Sequence, residues 1–148
     1  YAVFDGYYKA VEKNQEAFAD GWFRTGDLCA IDADGGIEFH GRIKDMLKVG
    51  GENVAALEIE SFLLTHPSVI MAQVIGVPDD RLSEVACAYI ELHDDESMTA
   101  EDLIAFCKGK ISSFKIPRHV RFISEWPMSS TKIQKFVLRE NFSEAAGT

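Results

Sequence analysis

Two apolar runs joined by a short turn constrain the fold of this chain more than any other feature. The runs cover residues 69–77 and 85–92, and Pro78-Asp79-Asp80 lies between them. Apolar runs of this length, bounded by turn residues, are typical of buried strands. We therefore predict one strand over each run.

The segments around these runs alternate between helical and strand patterns. Apolar spacing predicts a helix near 55–65, and a second helix near 100–111 follows a capping-box pattern at 99–102. A short strand over 119–123 and an amphipathic segment from about 133 to 141 complete the pattern. The predicted fold class is α+β, with a small mixed sheet of three strands flanked by helices.

The beginning of the chain follows a different pattern. The stretch YKAVEKNQEAFA predicts a short amphipathic helix before the Asp20-Gly21 turn, and the turn-rich residues 32–36 predict a β-hairpin. Many aromatic residues occur here, but they form no closed pattern. A chain of 148 residues with 47% hydrophobic content supports one compact core rather than two. We expect residues 1–42 to be the end of a larger domain and residues 43–148 to be a second domain.

Charge and cysteine usage exclude several classes of function. The formal net charge of −9 opposes attraction to nucleic acid or an anionic membrane. No apolar run approaches the roughly 20 residues of a membrane span, and we expect a cytoplasmic protein. Cys29, Cys87 and Cys107 are widely spaced and show no metal-ligand pattern, so we expect three buried free thiols and no metal site.

Four sequence segments carry the most specific signal in the chain. They are GWFRTGD at 21–27, GRIKDMLKVGGENV at 41–54, LEIE at 57–60 and PMSSTKIQK at 127–135. In this order they resemble the adenylate-forming family of acyl-CoA synthetases, aryl-CoA ligases, firefly luciferase and peptide-synthetase adenylation domains. The resemblance implies the small C-terminal mobile domain of such an enzyme, preceded by a hairpin of the N-terminal AMP-binding domain.

The resemblance also implies an activity for the intact protein. A carboxylic acid and ATP, with Mg²⁺, would form an acyl-adenylate, which coenzyme A would then convert to acyl-CoA. The missing N-terminal domain is the expected partner, and this chain alone is expected to be inactive and to bind none of these compounds tightly. A domain that loads a carrier protein and a non-enzymatic interaction module remain alternatives.

By resemblance, two residues belong to the nucleotide site. Asp27 matches an aspartate that accepts hydrogen bonds from both ribose hydroxyls of ATP, a role that suits an ionised carboxylate. Arg42 is expected to reach the ribose and phosphate side. Without the resemblance, Asp27 is a turn residue and Arg42 a surface ion-pair partner, with Asp45 as the candidate acid.

The segment after Arg42 matches the hinge and the thioester-forming face of the family. Lys44 falls at the hinge between the large and small domains, where an exposed residue can exchange solvated partners. Lys48, Gly50, Gly51 and Asn53 match the loop that faces the active site during thioester formation, where glycines allow close backbone approach. The bland alternatives are a glycine hairpin turn and a surface lysine.

Lys132 matches the lysine that acts in adenylation. A compact ammonium group beside the α-phosphate would stabilise charge that builds on the phosphoryl oxygens. The loop PMSSTK is one residue shorter than the usual family pattern and has Thr131 before the lysine. Lys135 is the rival candidate, but the residues after Lys132 match the family register better.

Two weaker candidates complete the sequence predictions. Lys115, in the segment SFKIP at 113–117, is a candidate for contact with a CoA phosphate; otherwise it is an exposed lysine in a connection between helix and strand. The four histidines have no recognisable catalytic partners and are expected to be structural or solvated. They are His40, His66, His93 and His119.

Overall fold

The structure is a computed structural model that describes residues 4–146, and the side chain of Ala146 is not described. It divides into two compact units, and the division falls between Lys44 and Asp45. The origin of residues 1–42 in a larger domain stays a prediction.

The first unit contains one helix and two small hairpins. Helix α1 covers Val11–Ala17, strands β1 and β2 cover Phe18–Ala19 and Trp22–Phe23, and strands β3 and β4 cover Asp27–Ile31 and Ile37–Arg42. Helix α1 is shorter than the sequence pattern suggested.

The predicted hairpin at 32–36 is confirmed as the turn between β3 and β4. Asp32 Oδ1 accepts hydrogen bonds from the backbone N–H groups of Asp34 at 3.0 Å and Gly36 at 2.6 Å. Gly35 has φ of 84°, a conformation that favours glycine. Local side-chain chemistry therefore sets this turn.

The second unit is built on one mixed sheet. Its strands are β5, Met46–Val49; β6, Glu52–Ala55; β7, Val69–Asp79; β8, Ser83–Leu92; and β9, His119–Phe122. Its helices are α2, Ala56–Leu63; α3, Ala100–Cys107; and α4, Lys135–Ala146. Strands β6, β5, β8 and β7 are antiparallel neighbours in that order, while β9 pairs with β8 in parallel. The α+β prediction is confirmed.

The β5–β6 hairpin was missing from the predicted strands. Leu47, Val49 and Val54 are buried, while Lys48 and Asn53 between them are exposed. Each strand is only four residues long, so this alternation is too short to stand out beside the turn residues. The sheet consequently has five strands rather than three.

Apolar side chains cover both faces of the sheet. One cluster joins β7 and β8 to helices α2 and α3, and a second cluster, on alternate residues of the same strands, packs against Leu138 of α4. Burial of a Val, Leu or Ile side chain stabilises by about 1.5–3 kcal/mol. This two-sided burial explains why β7 and β8 are near-continuous apolar runs.

The cysteine prediction was right for two residues and wrong for one. Cys87 and Cys107 are buried free thiols, whereas Cys29 is exposed on β3. Burial raises the pKa of Cys87 to about 12 and also raises the pKa of Cys107. Alternation along β3 does not bury Cys29, because every residue of β3 after Asp27 is exposed.

Candidate functional site

The β3–β4 hairpin brings the two predicted nucleotide residues together. Asp27 and Arg42 are direct register partners, and Arg42 Nε lies 3.2 Å from Asp27 Oδ1. This oxygen is shielded from solvent and, within residues 4–146, has an ion-pair contact but no hydrogen bond of acceptable geometry. The carboxylate therefore keeps acceptor capacity.

The backbone around Asp27 is fixed by a local turn. Asp27 N–H donates to Thr25 Oγ1 at 3.1 Å, and Ile43 N–H donates to the Gly26 carbonyl at 2.9 Å. Asp27 is thus a turn residue with a charged partner, which is compatible with the nucleotide role. The sequence alternative that paired Arg42 with Asp45 is wrong, because Arg42 contacts Asp27.

Lys44 lies in a short 3₁₀ helix, Ile43–Asp45, at the division between the units. Its side chain is exposed, and no ion pair joins it to any other residue in the described part of the chain. The next residue, Asp45, has a partner in its own unit: its Oδ1 lies 3.7 Å from Arg139 Nη2 on α4. A change of backbone angle at Lys44 would therefore break no side-chain contact of Lys44 itself.

The two glycines form the turn between β5 and β6. Gly50 has φ of 59° and Gly51 has φ of 92°. Gly50 N–H donates to the Leu82 carbonyl at 2.8 Å, and a Cβ at Gly50 would approach Leu82 Cδ2 to 3.0 Å. A Cβ at Gly51 would meet no atom within 4 Å, so only the backbone conformation favours glycine there.

Lys48 and Asn53 face each other across the same hairpin. They are register partners on β5 and β6, and both side chains are exposed. Lys48 N–H donates to Glu84 Oε2 at 2.8 Å, which ties β5 to the start of β8. The structure therefore joins the four predicted loop residues in one exposed hairpin tip.

An open cavity of about 360 Å³ lies beside this hairpin. Its lining residues are Val49, Arg81, Leu82, Val85, Ser113, Phe114, Ile116 and Arg118. Arg118 Nη1 lies 3.5 Å from Asp79 Oδ2. The pKa of Asp79 is lowered by hydrogen bonds from the backbone N–H groups of Leu82 and Arg81 and by the nearby Arg118 charge. The cavity thus combines apolar walls with two guanidinium groups.

Lys115 is not directed freely into solvent. Its Nζ forms an ion pair with Glu58 Oε1 on α2, and it lies 5.7 Å from the centre of the Phe114 ring. A phosphate contact from Lys115 would have to replace the Glu58 partner. The CoA role of Lys115 stays a prediction.

Lys132 lies in a tight turn with an exposed side chain. Ser129 N–H donates to the Lys132 carbonyl at 2.8 Å, and Lys132 N–H donates to Ser129 Oγ at 3.3 Å. Its Nζ has no ion-pair or hydrogen-bond partner among the residues that the structure describes. The turn therefore presents an unpaired ammonium group.

Lys135, the rival candidate, is bound to another side chain. Its Nζ lies 2.6 Å from Glu60 Oε1, and the two side chains are 17% and 9% exposed. The same oxygen of Glu60 accepts a hydrogen bond from Val74 N–H at 2.8 Å. Lys135 would have to break this nearly buried pair to reach a substrate, whereas Lys132 would not.

The histidines show structural contacts. His66 Nδ1 accepts a hydrogen bond from Ser68 N–H at 3.2 Å and its ring packs edge-on against Phe106, while His119 packs against Phe142. His40 is exposed and lies 3.9 Å from Glu38. Within residues 4–146, no group of three or more His, Cys, Asp or Glu side chains could hold a metal ion.

Comparison with known proteins identifies the domain. The family described as "AMP-binding enzyme C-terminal domain" matches residues 58–132, just over half of the chain. The chain belongs to this family of adenylate-forming acyl-CoA synthetases. The match begins in α2 and ends at Lys132, so it includes Glu60, β7, β8 and the Lys132 turn.

Relatives of this acyl-CoA synthetase domain are similar over almost its whole length. It is 49% identical over 146 residues to medium-chain acyl-CoA ligase ACSF2, mitochondrial, of Bos taurus, covering 97% of this chain and 24% of that protein. It is also 49% identical over 146 residues to the putative acyl-CoA synthetase YngI of Bacillus subtilis, covering 97% and 27%. The chain thus spans about a quarter of the length of these relatives.

A solved structure confirms the fold. ATP-bound MatB from Rhodopseudomonas palustris superposes with a TM-score of 0.89 at 35% identity, covering 97% of this chain and 29% of that protein. No helix in the described part of the chain has the length and apolar character to cross a membrane. The cytoplasmic location stays a prediction, and the ACSF2 relative is named as mitochondrial.

Sequence reasoning missed three residues of this acyl-CoA synthetase domain that support or line the candidate site. Glu60 contacts Lys135, Glu84 contacts the β5 backbone, and Arg81 lines the cavity. Only Glu60 carried a signal, because a carboxylate between Ile59 and Leu63 interrupts the apolar face of α2. Glu84 and Arg81 act through pairings that local patterns do not reveal.

Proposed function

We propose that this domain is the mobile C-terminal part of an AMP-forming acid–CoA ligase. Its larger N-terminal domain is the partner that would hold the carboxylic acid and most of the ATP. Family membership and the named activities of the relatives support this function. The single observation that carries the residue assignment is the contrast between the unpaired Lys132 and the Glu60-bound Lys135.

In the first half-reaction, an oxygen of the substrate carboxylate attacks the α-phosphorus of ATP, and pyrophosphate leaves. Negative charge builds on the non-bridging oxygens, and Lys132 donates hydrogen bonds to them from its ammonium group. The 129–132 turn fixes the backbone of this lysine, which limits the reorganisation required at the moment of reaction.

Asp27 and Arg42 are proposed to hold the ribose end of ATP. Asp27 accepts hydrogen bonds from the ribose hydroxyls, and Arg42 orients the Asp27 carboxylate and faces the phosphate side. Mg²⁺ would accompany ATP and lower the charge on its phosphates. The described side chains offer no cluster of three metal ligands, so we assign no residue of this chain to Mg²⁺.

In the second half-reaction, the thiol of coenzyme A loses its proton and its sulfur attacks the acyl carbon, releasing AMP. We propose that rotation at Lys44 withdraws Lys132 and presents the hairpin tip of Lys48, Gly50, Gly51 and Asn53. The absence of side chains at Gly50 and Gly51 permits close approach of the pantetheine arm. The neighbouring cavity, with Arg81 and Arg118, is suited to the anionic nucleotide end of coenzyme A.

The deciding experiment is acid-dependent ATP–pyrophosphate exchange by the full-length protein, followed by transfer to coenzyme A. Medium-chain acids form the first panel, because an ACSF2 relative is named for them. Exchange followed by acyl-CoA formation supports the proposal. Exchange with transfer only to a carrier protein would favour the carrier-loading alternative, and absence of exchange with every acid would favour the interaction-module alternative.

A further inference from the structure

We propose that Glu60 and Lys135 are positioning residues that hold Lys132 in place for adenylation. This inference rests on the proposed function of Lys132. Neither residue would touch the substrate; both would act through the 129–132 turn. The pair joins α2 to the first residue of α4, over 75 positions of sequence, and Lys135 lies three residues after Lys132.

Both ends of the Lys132 turn are attached to the chain around Lys135. Met128 and Ile133 form an antiparallel bridge, and Gln134 N–H donates to the Pro127 carbonyl at 2.8 Å. Three residues of extended chain span at most about 11 Å, so only a short segment separates the turn from the ion pair. A displacement of the start of α4 therefore moves the turn.

Glu60 has a geometry that favours positioning over general stability. Its Oε1 accepts hydrogen bonds from both Val74 N–H and Lys135 Nζ, so one atom links strand β7, helix α2 and helix α4. Burying two charges costs desolvation free energy, and apolar side chains of similar volume often replace such a pair without loss of stability. The pair instead fixes one direction of approach for α4, which packing of apolar side chains alone specifies less strictly.

Adenylation needs this accuracy more than thioester formation does. A misplacement of about 1 Å at a reacting group can reduce rate by about 100-fold. In the proposed second half-reaction, Lys132 is withdrawn and the Gly50-Gly51 tip approaches the substrate. Loosening of the Glu60–Lys135 pair should therefore damage the first half-reaction selectively.

The test compares four variants of the full-length enzyme. Lys135→Met removes one charge, Glu60→Gln/Lys135→Met removes both, Lys135→Arg keeps the pair, and Lys132→Ala removes the reacting ammonium only. We expect Lys135→Met to lower the Tm, because it leaves a nearly buried carboxylate unpaired. The double variant should recover most of the Tm, because no unpaired charge remains.

Three further measurements separate positioning from stability and from direct catalysis. They are the kcat of acid-dependent pyrophosphate exchange, the rate of acyl transfer from preformed acyl-adenylate to coenzyme A, and amide hydrogen exchange over residues 128–134. In both Met variants we expect kcat for adenylation to fall about 10- to 100-fold, acyl transfer to be spared and amide exchange to accelerate. Lys135→Arg should remain close to wild type.

Controls give each outcome one meaning. Glu140→Gln, which removes an exposed charge on the same helix α4, should change none of these quantities. Lys132→Ala should abolish adenylation without changing amide exchange over 128–134. Loss of adenylation in the Met variants with unchanged amide exchange would overturn the inference and make Lys135 a catalytic residue. Recovery of both Tm and adenylation in the double variant would also overturn it.

Failure of the proposed function is distinguishable from failure of this inference. If the wild-type protein shows no pyrophosphate exchange with any acid, the proposed function fails. The amide-exchange comparison still decides the inference: acceleration in the double variant supports a positioning role for the pair, and an unchanged rate excludes it.

Discussion

Asp27 and Arg42 lie opposite each other across the β3–β4 hairpin, with Arg42 Nε 3.2 Å from Asp27 Oδ1. Register alone places them together, because Ile37–Arg42 returns along Asp27–Ile31. The two residues that the family resemblance assigns separately to ATP thus form one charged pair. A ligand that binds Asp27 will meet a carboxylate whose charge and orientation are already set by Arg42.

The first prediction concerns ATP affinity. Asp27→Ala removes two proposed charge-assisted hydrogen bonds to the ribose, each worth roughly 1.5–3 kcal/mol before water compensates. We expect the Kd for ATP to rise about 10- to 100-fold in the full-length enzyme, as measured by calorimetry. Asp34→Ala, an exposed aspartate in the adjoining turn, is the matched control and should leave the Kd unchanged. Equal Kd values for Asp27→Ala and wild type would reduce Asp27 to a turn residue.

The second prediction concerns the thioester half-reaction. Gly51→Ala forces an L side chain into φ of 92° and adds a methyl group to the proposed pantetheine path. Acyl transfer to coenzyme A should slow by at least about tenfold, while pyrophosphate exchange stays near wild type. The matched control is Gly109→Ala, which has φ of 74° and equally open space around its Cβ.

Stopped-flow measurement of acyl-CoA formation from preformed acyl-adenylate would separate the two glycine variants. Both should lose similar stability, since both impose a positive φ on alanine. If Gly109→Ala slows transfer as much as Gly51→Ala does, the effect is general destabilisation, and the hairpin tip has no special role.

The third prediction concerns the hinge. Proline at position 44 fixes φ near −65° and restricts Ile43, so Lys44→Pro should make one domain arrangement much harder to reach. The two half-reactions should be damaged very unequally, whereas Lys44→Ala, which removes only the charge, should be mild in both. The side chain of Lys44 has no ion pair within residues 4–146, so the alanine variant tests the charge cleanly. Equal losses in a folded Lys44→Pro protein would show that the pivot lies elsewhere.

Local patterns predicted those parts of the fold that local chemistry decides. The apolar runs became β7 and β8, and the Thr99–Asp102 capping box is present at the start of α3, where the Asp102 carboxylate, with its pKa lowered chiefly by the Thr99 hydroxyl, accepts from Thr99 N–H. In the β5–β6 hairpin, the short alternation of buried and exposed residues gave no comparable signal. Turn and cap residues act within a few positions of themselves, whereas strand pairing depends on distant partners.

The candidate site shows the same division. The family register singled out Lys132 over Lys135, but only the structure shows why the two lysines differ, since Glu60 is 75 positions away from Lys135. A sequence pattern contains no term for such a pairing. Cys29 shows the opposite error, because an apolar neighbourhood in sequence suggested burial that its hairpin does not provide.

The most direct test of the central claim is the Lys132→Ala variant of the full-length enzyme, measured in each half-reaction separately. The account predicts that acid-dependent pyrophosphate exchange falls about 100- to 1,000-fold, the usual cost of removing one charge-stabilising donor. Acyl transfer from preformed acyl-adenylate to coenzyme A should remain largely intact, because Lys132 is withdrawn in that step. Near-normal pyrophosphate exchange in Lys132→Ala, or an equal loss in both half-reactions by a folded protein, would contradict the account.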